Sequence, residues 1–215
     1  IVSHDLRNPL SAILMGVQLL GRTENERRTR VLGHVRDSAE RAQRLIEELL
    51  DFTQARIGAG LSVKRQRIDL HQVTARTLDE LMLAFPDRVI AHEAQGEAQC
   101  IADADRLAQL IGNLVSNAAT YGRSGTPIVV RSAIDTGTAL VAVHNEGDPI
   151  PSGMLANVFE PMVRGATSSN TVRSVGLGLF IVREIAKAHG GEMAVASSAA
   201  EGTTFTLRFP AQAQR

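Results

Sequence analysis

The chain has 215 residues, enough at about 150 residues per domain for one or two domains, and its 44% hydrophobic and 21% charged residues are an ordinary globular mix. Its 23 Lys and Arg balance 23 Asp and Glu, and a formal charge of zero argues against a dedicated nucleic-acid binder, which carries a basic excess. One cysteine, Cys100, excludes an internal disulfide framework and any multi-cysteine metal site, and 3% aromatic residues with no Trp leave little on which bases could stack.

The first residues, Ile1-Val2-Ser3-His4, read as the inside of a helix with no cap before it and no initiating Met, so a fragment of a longer protein is expected. No stretch approaches the roughly 20 apolar residues that span a bilayer; Ala12–Leu20 is broken by Gly16 and Gln18. Residues 1–57 look all-helical. Leu6, Leu10, Ile13, Leu14, Val17 and Leu20 make one apolar stripe at helical spacing. A polar break follows, from Gly21 to about Glu26. Then Val31, Val35, Ser38, Ala42, Leu45, Leu49 and Phe52 alternate steps of 4 and 3, a heptad seam. Its flanks carry Arg36, Asp37, Glu40, Arg41, Arg44, Glu47 and Glu48, expected to be a solvated face. Two such helices bury little alone, so a homodimer through residues 1–57, a four-helix bundle, is the physical expectation.

Residues 58–63 (Gly-Ala-Gly-Leu-Ser-Val) read as a flexible joint and domain boundary. Beyond it, strand and helix signals alternate over 64–215. A strand is expected at Arg67–Leu70, a helix at His71–Phe85 stopped by Pro86, and short strands at Val89–Glu93 and Gln99–Ala102. Asp103 is placed to cap a helix that Gly122 closes. Pro127–Ile134 and Ala139–His144 form a hairpin around Asp135-Thr136-Gly137. Gly178–His189 is a helix, and Glu192–Ser197 and Thr203–Phe209 are strands. Strands in hairpin pairs point to an α+β two-layer sandwich with a mixed sheet rather than a doubly wound parallel one.

Four segments carry chemistry. In Ser3-His4-Asp5-Leu6-Arg7-Asn8-Pro9-Leu10, His4 lies on the polar side of a helix with Asn8 one turn on, and a neutral imidazole is a competent nucleophile near pH 7. Asp5 is adjacent and could polarise the ring N–H, and Pro9 is a defect in an otherwise good helix. In Asn113–Tyr121, Asn113 and Asn117 share a helix face; stacked amides suit Mg²⁺ and phosphate, although two exposed asparagines remain the plain alternative. Asn145-Glu146-Gly147-Asp148-Pro149-Ile150 runs from a strand into a turn, and the Asn145 amide could pair with an adenine edge. Gly176-Leu177-Gly178-Leu179 opens a helix whose N–H groups can meet an anion. Ahead of it, Ala166–Ser174 reads as a mobile lid flanked by Arg164 and Arg173.

Taken in order, these segments resemble the transmitter core of a bacterial sensor histidine kinase. Ser3–Leu10 resembles the H box of the dimerisation and phosphotransfer domain, in the variant common among phytochrome-type kinases. Asn113–Tyr121 resembles the N box, Asn145–Ile150 the first glycine box, Phe159-Glu160-Pro161 the F box, Gly176–Leu179 the second glycine box, and Gly202-Thr203-Thr204-Phe205 the terminal strand motif. The resemblance implies a Bergerat-type ATP-binding domain behind a dimeric helical hairpin. It implies His4 as phosphoacceptor assisted by Asp5, Asn117 as Mg²⁺ ligand, and Asn113 orienting triphosphate and metal. Tyr121, Asn145, Gly147, Ile150, Arg164, Gly176, Leu177, Gly178, Leu179 and Thr203 fall at nucleotide-binding positions. A response-regulator receiver domain is the implied partner, Asn8 matches a position used in dephosphorylating it, and an upstream sensor domain is missing. The implied location is cytoplasmic, whether or not the parent protein is anchored in a membrane.

Departures from the family pattern bear on affinity. Asn145 stands where Asp is usual, Pro149 replaces a glycine, Thr120 replaces a basic residue, and Ser174 occurs where a further glycine is common. Relatives that hydrolyse ATP carry an acid at the Asn113 position, so the amide fits transfer to histidine rather than to water. The alternatives are a non-catalytic phosphotransfer and docking scaffold with a degenerate ATP domain, and a plain ATPase of the same fold.

Overall fold

Residues 2–20, 25–58, 60–163 and 176–212 are described by a computed structural model. Two helices lead, α1 (Val2–Leu20) and α2 (Asn25–Arg56), and α1 is continuous through the buried Pro9. The α2 seam is the face that packs: Ala42 and Leu45 are buried, and Val31, Val35, Ser38, Leu49 and Phe52 are partly covered. Gly16 lets the helices approach closely, since a Cβ there would lie 2.3 Å from Val35 Cγ2.

The α1 stripe divides in two. Leu6, Ile13 and Leu20 are partly covered and Gly16 is buried, whereas Leu10, Leu14 and Val17 are 51%, 65% and 56% exposed. A stripe of this width is more than one neighbouring helix can cover. The charged flank is solvated at Arg36, Asp37, Glu40, Arg44 and Glu47 but not at Arg41 and Glu48, which are partly covered. Helix α2 has a second neighbour on that side, which heptad spacing alone does not reveal. At the joint, Gly58 and Gly60 take φ of +86° and +64°, open to glycine without strain.

The second domain runs β1 (Gln66–Asp69), α3 (Leu70–Ala84), β2 (Ile90–Gly96), β3 (Gln99–Ala102), α4 (Ala104–Tyr121), β4 (Ile128–Asp135), β5 (Thr138–Asn145), α5 (Ser152–Leu155), α6 (Gly178–Ala188), β6 (Glu192–Ser198) and β7 (Gly202–Pro210). Asp103 caps α4 by accepting from the N–H groups of Asp105 and Arg106, both at 3.1 Å. Its other oxygen accepts from the Lys64 N–H at 2.6 Å, which ties the joint to the start of α4.

The five-stranded sheet has the order β2-β4-β5-β7-β6, with β2 parallel to β4 and the remaining pairs antiparallel, so it is mixed as expected. The expectation of hairpin pairs fails at β2 and β3. These neighbours in sequence separate: β3 pairs with β1, and the Ile101 N–H goes to the Ala211 carbonyl at 2.8 Å. Along β4, Ile128, Val130, Ser132 and Ile134 are buried and the residues between them less so, giving the sheet one packed face. Helices α3, α4 and α6 form the layer on it. Leu107, Leu110, Ile111 and Leu114 of α4, Ile181 and Ile185 of α6, and Leu207 and Phe209 of β7 are almost fully enclosed. Each such side chain contributes about 1.5–3 kcal/mol of transfer free energy.

Helix α2 ends against this domain. Phe52 meets Phe180 edge-on with ring centres 5.4 Å apart. The buried Asp51 carboxylate accepts from Arg106 Nη1 at 2.9 and 2.8 Å and from Gln109 Nε2 at 2.8 Å.

Candidate functional site

Helix α4 turns one polar edge toward a cavity of about 280 Å³. From Asn113, the positions three, four, seven and eight residues on return to much the same side of a helix. Ser116, Asn117, Thr120 and Tyr121 occupy them, and all line the cavity with Asn113. The opposite edge of α4 is locked in the core, which fixes the amide pair in direction.

Asn145 lies at the end of β5, 8% exposed, on the cavity wall. Its Nδ2 donates to the Glu146 carbonyl at 3.1 Å, which leaves the amide oxygen to accept from a ligand. The following turn supplies Asp148, Pro149, Ile150 and Pro151 to the rim. It is pinned where the Ile150 N–H donates to Ser197 Oγ at 2.9 Å, and Ser197 Oγ in turn lies 2.7 Å from Thr203 Oγ1, another wall atom.

The start of α6 completes the site. Gly176, Gly178 and Leu179 line the cavity, and among the described residues no side chain caps the helix, so its first N–H groups remain available to an anion. Asn113 Nδ2 lies 3.4 Å from the Gly178 carbonyl. Gly176 has φ of +76°, and a Cβ there would stand 3.1 Å from Met162 Cα, while the Met162 N–H donates to the Gly176 carbonyl at 2.9 Å. The described residues on either side of the expected lid, Met162 and Gly176, are thus hydrogen-bonded to each other. Arg164, Arg173 and the lid itself lie outside the described residues.

Two residues expected at a nucleotide do not line this cavity. Leu177, 1% exposed, turns its side chain into the core and not into the cavity. Gly147 bridges to Gly122 and lines a separate polar cleft with Arg123 and His144. Pairing with the end of α4 turns that residue away from the cavity. His4 and Asp5 belong to α1, and their side chains are outside the described ones. Asn8 Nδ2 is buried and has no hydrogen-bond partner among the described residues.

The cavity also has walls that were not anticipated. Ser116, Met154, Val158 and Phe205 belong to it, and Ser116 was discoverable from its place on the Asn113 face. Thr120 turns its hydroxyl to the Ser116 carbonyl at 2.8 Å, so it offers little to a phosphate. Glu48, from α2, is the unexpected acid. Burial pushes its carboxyl up to about 7, with Arg44 opposing the rise and Asp51 adding to it.

The surroundings hold two more perturbed groups. His189 is 3% exposed; its Nε2 accepts from the Asp103 N–H at 3.1 Å, so Nδ1 carries the proton and donates to the Ile185 carbonyl at 2.8 Å. Burial lowers its pKa, with the Ile185 bond opposing. The buried Cys100 thiol is pushed up to about 11 by burial and then by Asp69.

The donor set fits a magnesium nucleotide. The Asn117 amide makes no hydrogen bond among the described residues, and Asn113 keeps its oxygen while its nitrogen faces Gly178. Amide oxygens are hard donors, and Mg²⁺ takes few protein ligands beside phosphate oxygens and water.

The family of histidine kinase-, DNA gyrase B- and HSP90-like ATPases matches residues 102–213, and the His kinase A (phospho-acceptor) domain matches residues 1–58. A bacteriophytochrome of Pseudomonas aeruginosa is 34% identical over 98% of this chain, which spans 29% of that relative's length. The histidine kinase AdeS of Acinetobacter baumannii has the same fold, with a TM-score of 0.73 at 18% identity, covering 97% of this chain and 98% of that one. The histidine kinase ThkA, solved in complex with the response regulator protein TrrA, is similar over 98% of this chain and 60% of that one, with a TM-score of 0.67 at 22% identity. These two domain matches, in this order, show that the chain belongs to the family of histidine kinase-, DNA gyrase B- and HSP90-like ATPases, with a His kinase A (phospho-acceptor) domain ahead of its ATPase domain.

Proposed function

We propose that residues 64–215 bind ATP with Mg²⁺ and phosphorylate His4, and that residues 1–57 form a homodimer and pass the phosphoryl group to an aspartate of a response-regulator receiver domain. Residues 58–63 are the joint on which the ATP domain swings. The carrying observation is the Asn113 and Asn117 pair facing the uncapped start of α6 across one cavity, in a chain whose first helix holds His4.

In this reading Asn117 holds the metal and Asn113 orients the phosphates, with the α6 N–H groups taking phosphate oxygens. Mg²⁺, held there by Asn117, would neutralise the charge of the phosphates. The Asn145 oxygen accepts from the adenine amino group, and Thr203 and Ile150 shape the base side of the cavity. The His4 nitrogen bonds to the γ-phosphorus as the bond to the β-phosphate oxygen breaks, and Asp5 assists removal of the ring proton. Positioning and electrostatics supply most of the rate.

Leu10, Leu14 and Val17 on α1, with Leu32, Ile46 and Leu50 on α2, are exposed apolar residues that support the homodimer. ThkA was solved with its response regulator, which supports a receiver domain as partner here. Among the described residues no helix is long and apolar enough to cross a membrane, and we place the reaction in the cytoplasm, where ATP is found. A second activity, dephosphorylation of the regulator, is favoured by Asn8, whose buried Nδ2 is a donor with no partner among the described residues.

Incubation with γ-labelled ATP and Mg²⁺ tests the main reading. Acid-labile, base-stable label on the protein, absent in His4→Gln, is the expected result. Free phosphate with unlabelled protein would mean an ATPase, and neither product would mean a scaffold.

A further inference from the structure

We propose that Glu48 is a residue of the nucleotide site supplied by the helical hairpin, and that it sets the affinity for a nucleoside triphosphate while the two domains are docked. The inference rests on the nucleotide reading of the cavity. Glu48 stands on the cavity wall with Asn113 and Asn117, although it belongs to the other domain. One turn further along α2, Asp51 is held by Arg106 and Gln109. Gln109 is in turn one helical turn before Asn113 on α4. The clasp therefore holds α2 beside α4, with Glu48 on the wall of the same cavity as the amide pair.

Glu48 makes no hydrogen bond or ion pair among the described residues, unlike Asp51. The charged groups that influence it are Arg44 and Asp51 on its own helix. Arg106 of α4 is engaged by Asp51, and Asp148 on the rim adds further negative charge to the cavity. A triphosphate entering here brings several negative charges toward a carboxyl group with no cation bound to it. Like charges brought together in a partly dry space repel strongly. Nucleotide occupancy and the Asp51 clasp must then oppose each other, and by linkage each weakens the other by the same factor.

Calorimetry on the full chain, with Mg²⁺ and a non-hydrolysable ATP analogue, tests this with Glu48→Gln, Asp51→Ala and the double variant. Glu48 is only partly covered, but Asp51 is buried and Asp51→Ala leaves Arg106 unpaired, so a urea melt confirms that each variant is folded. At about pH 8, above the carboxyl's raised value of about 7, Glu48→Gln keeps the shape, removes the charge, and should tighten binding by about fivefold, the low end of the usual coupling between sites. Asp51→Ala, which frees α2, should tighten binding as well. In the Asp51→Ala background the Glu48→Gln exchange should add little. Weaker binding in Glu48→Gln would overturn the proposal, because the carboxylate would then be holding the nucleotide's metal. Unchanged affinity would overturn it too, and so would independent, additive effects, since Glu48 would then act without docking. If the parent chain and every variant bind no nucleotide, the nucleotide reading itself fails, and this inference with it.

Discussion

The Arg88 guanidinium donates to the carbonyl of Gly122, the residue that ends α4, at 2.9 Å. The same nitrogen also reaches the Ala119 carbonyl, and the other terminal nitrogen donates to the Arg123 carbonyl at 2.8 Å. One cation thus gathers carbonyls left unpaired at a helix end, where the helix dipole favours positive charge. Asn117, Thr120 and Tyr121 all lie in the last turn or so of α4 and line the cavity. Replacing Arg88 by Ala should cost about 1–3 kcal/mol in a urea melt, the usual penalty for unpaired polar groups. It should also weaken nucleotide binding, with Arg88→Lys intermediate because an ammonium lacks the guanidinium fork. Wild-type affinity in Arg88→Ala would show that the end of α4 holds its shape unaided.

Asn145→Asp should separate two effects that the native amide balances. Aspartate cannot donate to the Glu146 carbonyl, so the nucleotide-free protein should lose about 1 kcal/mol of stability. A charged acceptor forms a hydrogen bond about twice as strong as a neutral one, so ATP should bind several-fold tighter. Calorimetry and denaturant melts on the same sample check both; weaker binding would count against an accepting role for position 145.

His189 makes stability depend on pH with a definite sign. Burial lowers its folded pKa below the ordinary 6.5, so the unfolded chain binds the proton more readily. The stability it contributes is complete above about 6.5 and is lost as pH falls from there through the folded value. His92, lowered by burial and by His71, acts in the same direction. Unfolding free energy measured between about pH 5 and 6.5 should therefore rise with pH, less steeply in His189→Gln, which retains an amide donor and acceptor. An unchanged slope would assign the titration elsewhere.

Leu14 is 65% exposed on the face of α1 that α2 does not cover. A carboxylate placed in an apolar helix seam is strongly unfavourable unless paired. Leu14→Glu should convert the proposed dimer to monomer in light scattering without melting the ATP domain. A mass that stays at the dimer value would move the interface away from this face.

Local chemistry made much of the fold legible. Asp103 reads as a cap because a short acid precedes a strongly amphipathic run, and it caps α4. Thr136 and Gly137 lie between two alternating apolar runs, and β4 and β5 pair there. The parallel placement of β2 against β4 has no local cause; it depends on where the chain returns after leaving α3. Around the cavity, Asn113, Asn117 and Tyr121 could be found because helical spacing repeats on one face. Glu48 could not, since its place on the wall depends on a clasp between residues 51 and 106 that no spacing announces. Leu177 shows the converse: it sits inside a glycine-rich segment, yet its side chain belongs to the core.

The solitary thiol has a practical consequence. Cys100 is buried in β3 and its sulfur is held in the unreactive protonated form far above neutral pH. Cysteines introduced at exposed sites such as Arg36 or Glu201 should react with maleimide dyes or nitroxide reagents while the native one stays silent. Distances between hairpin and ATP domain can then be followed by fluorescence or electron spin resonance on the otherwise native protein, with no need to replace the cysteine first.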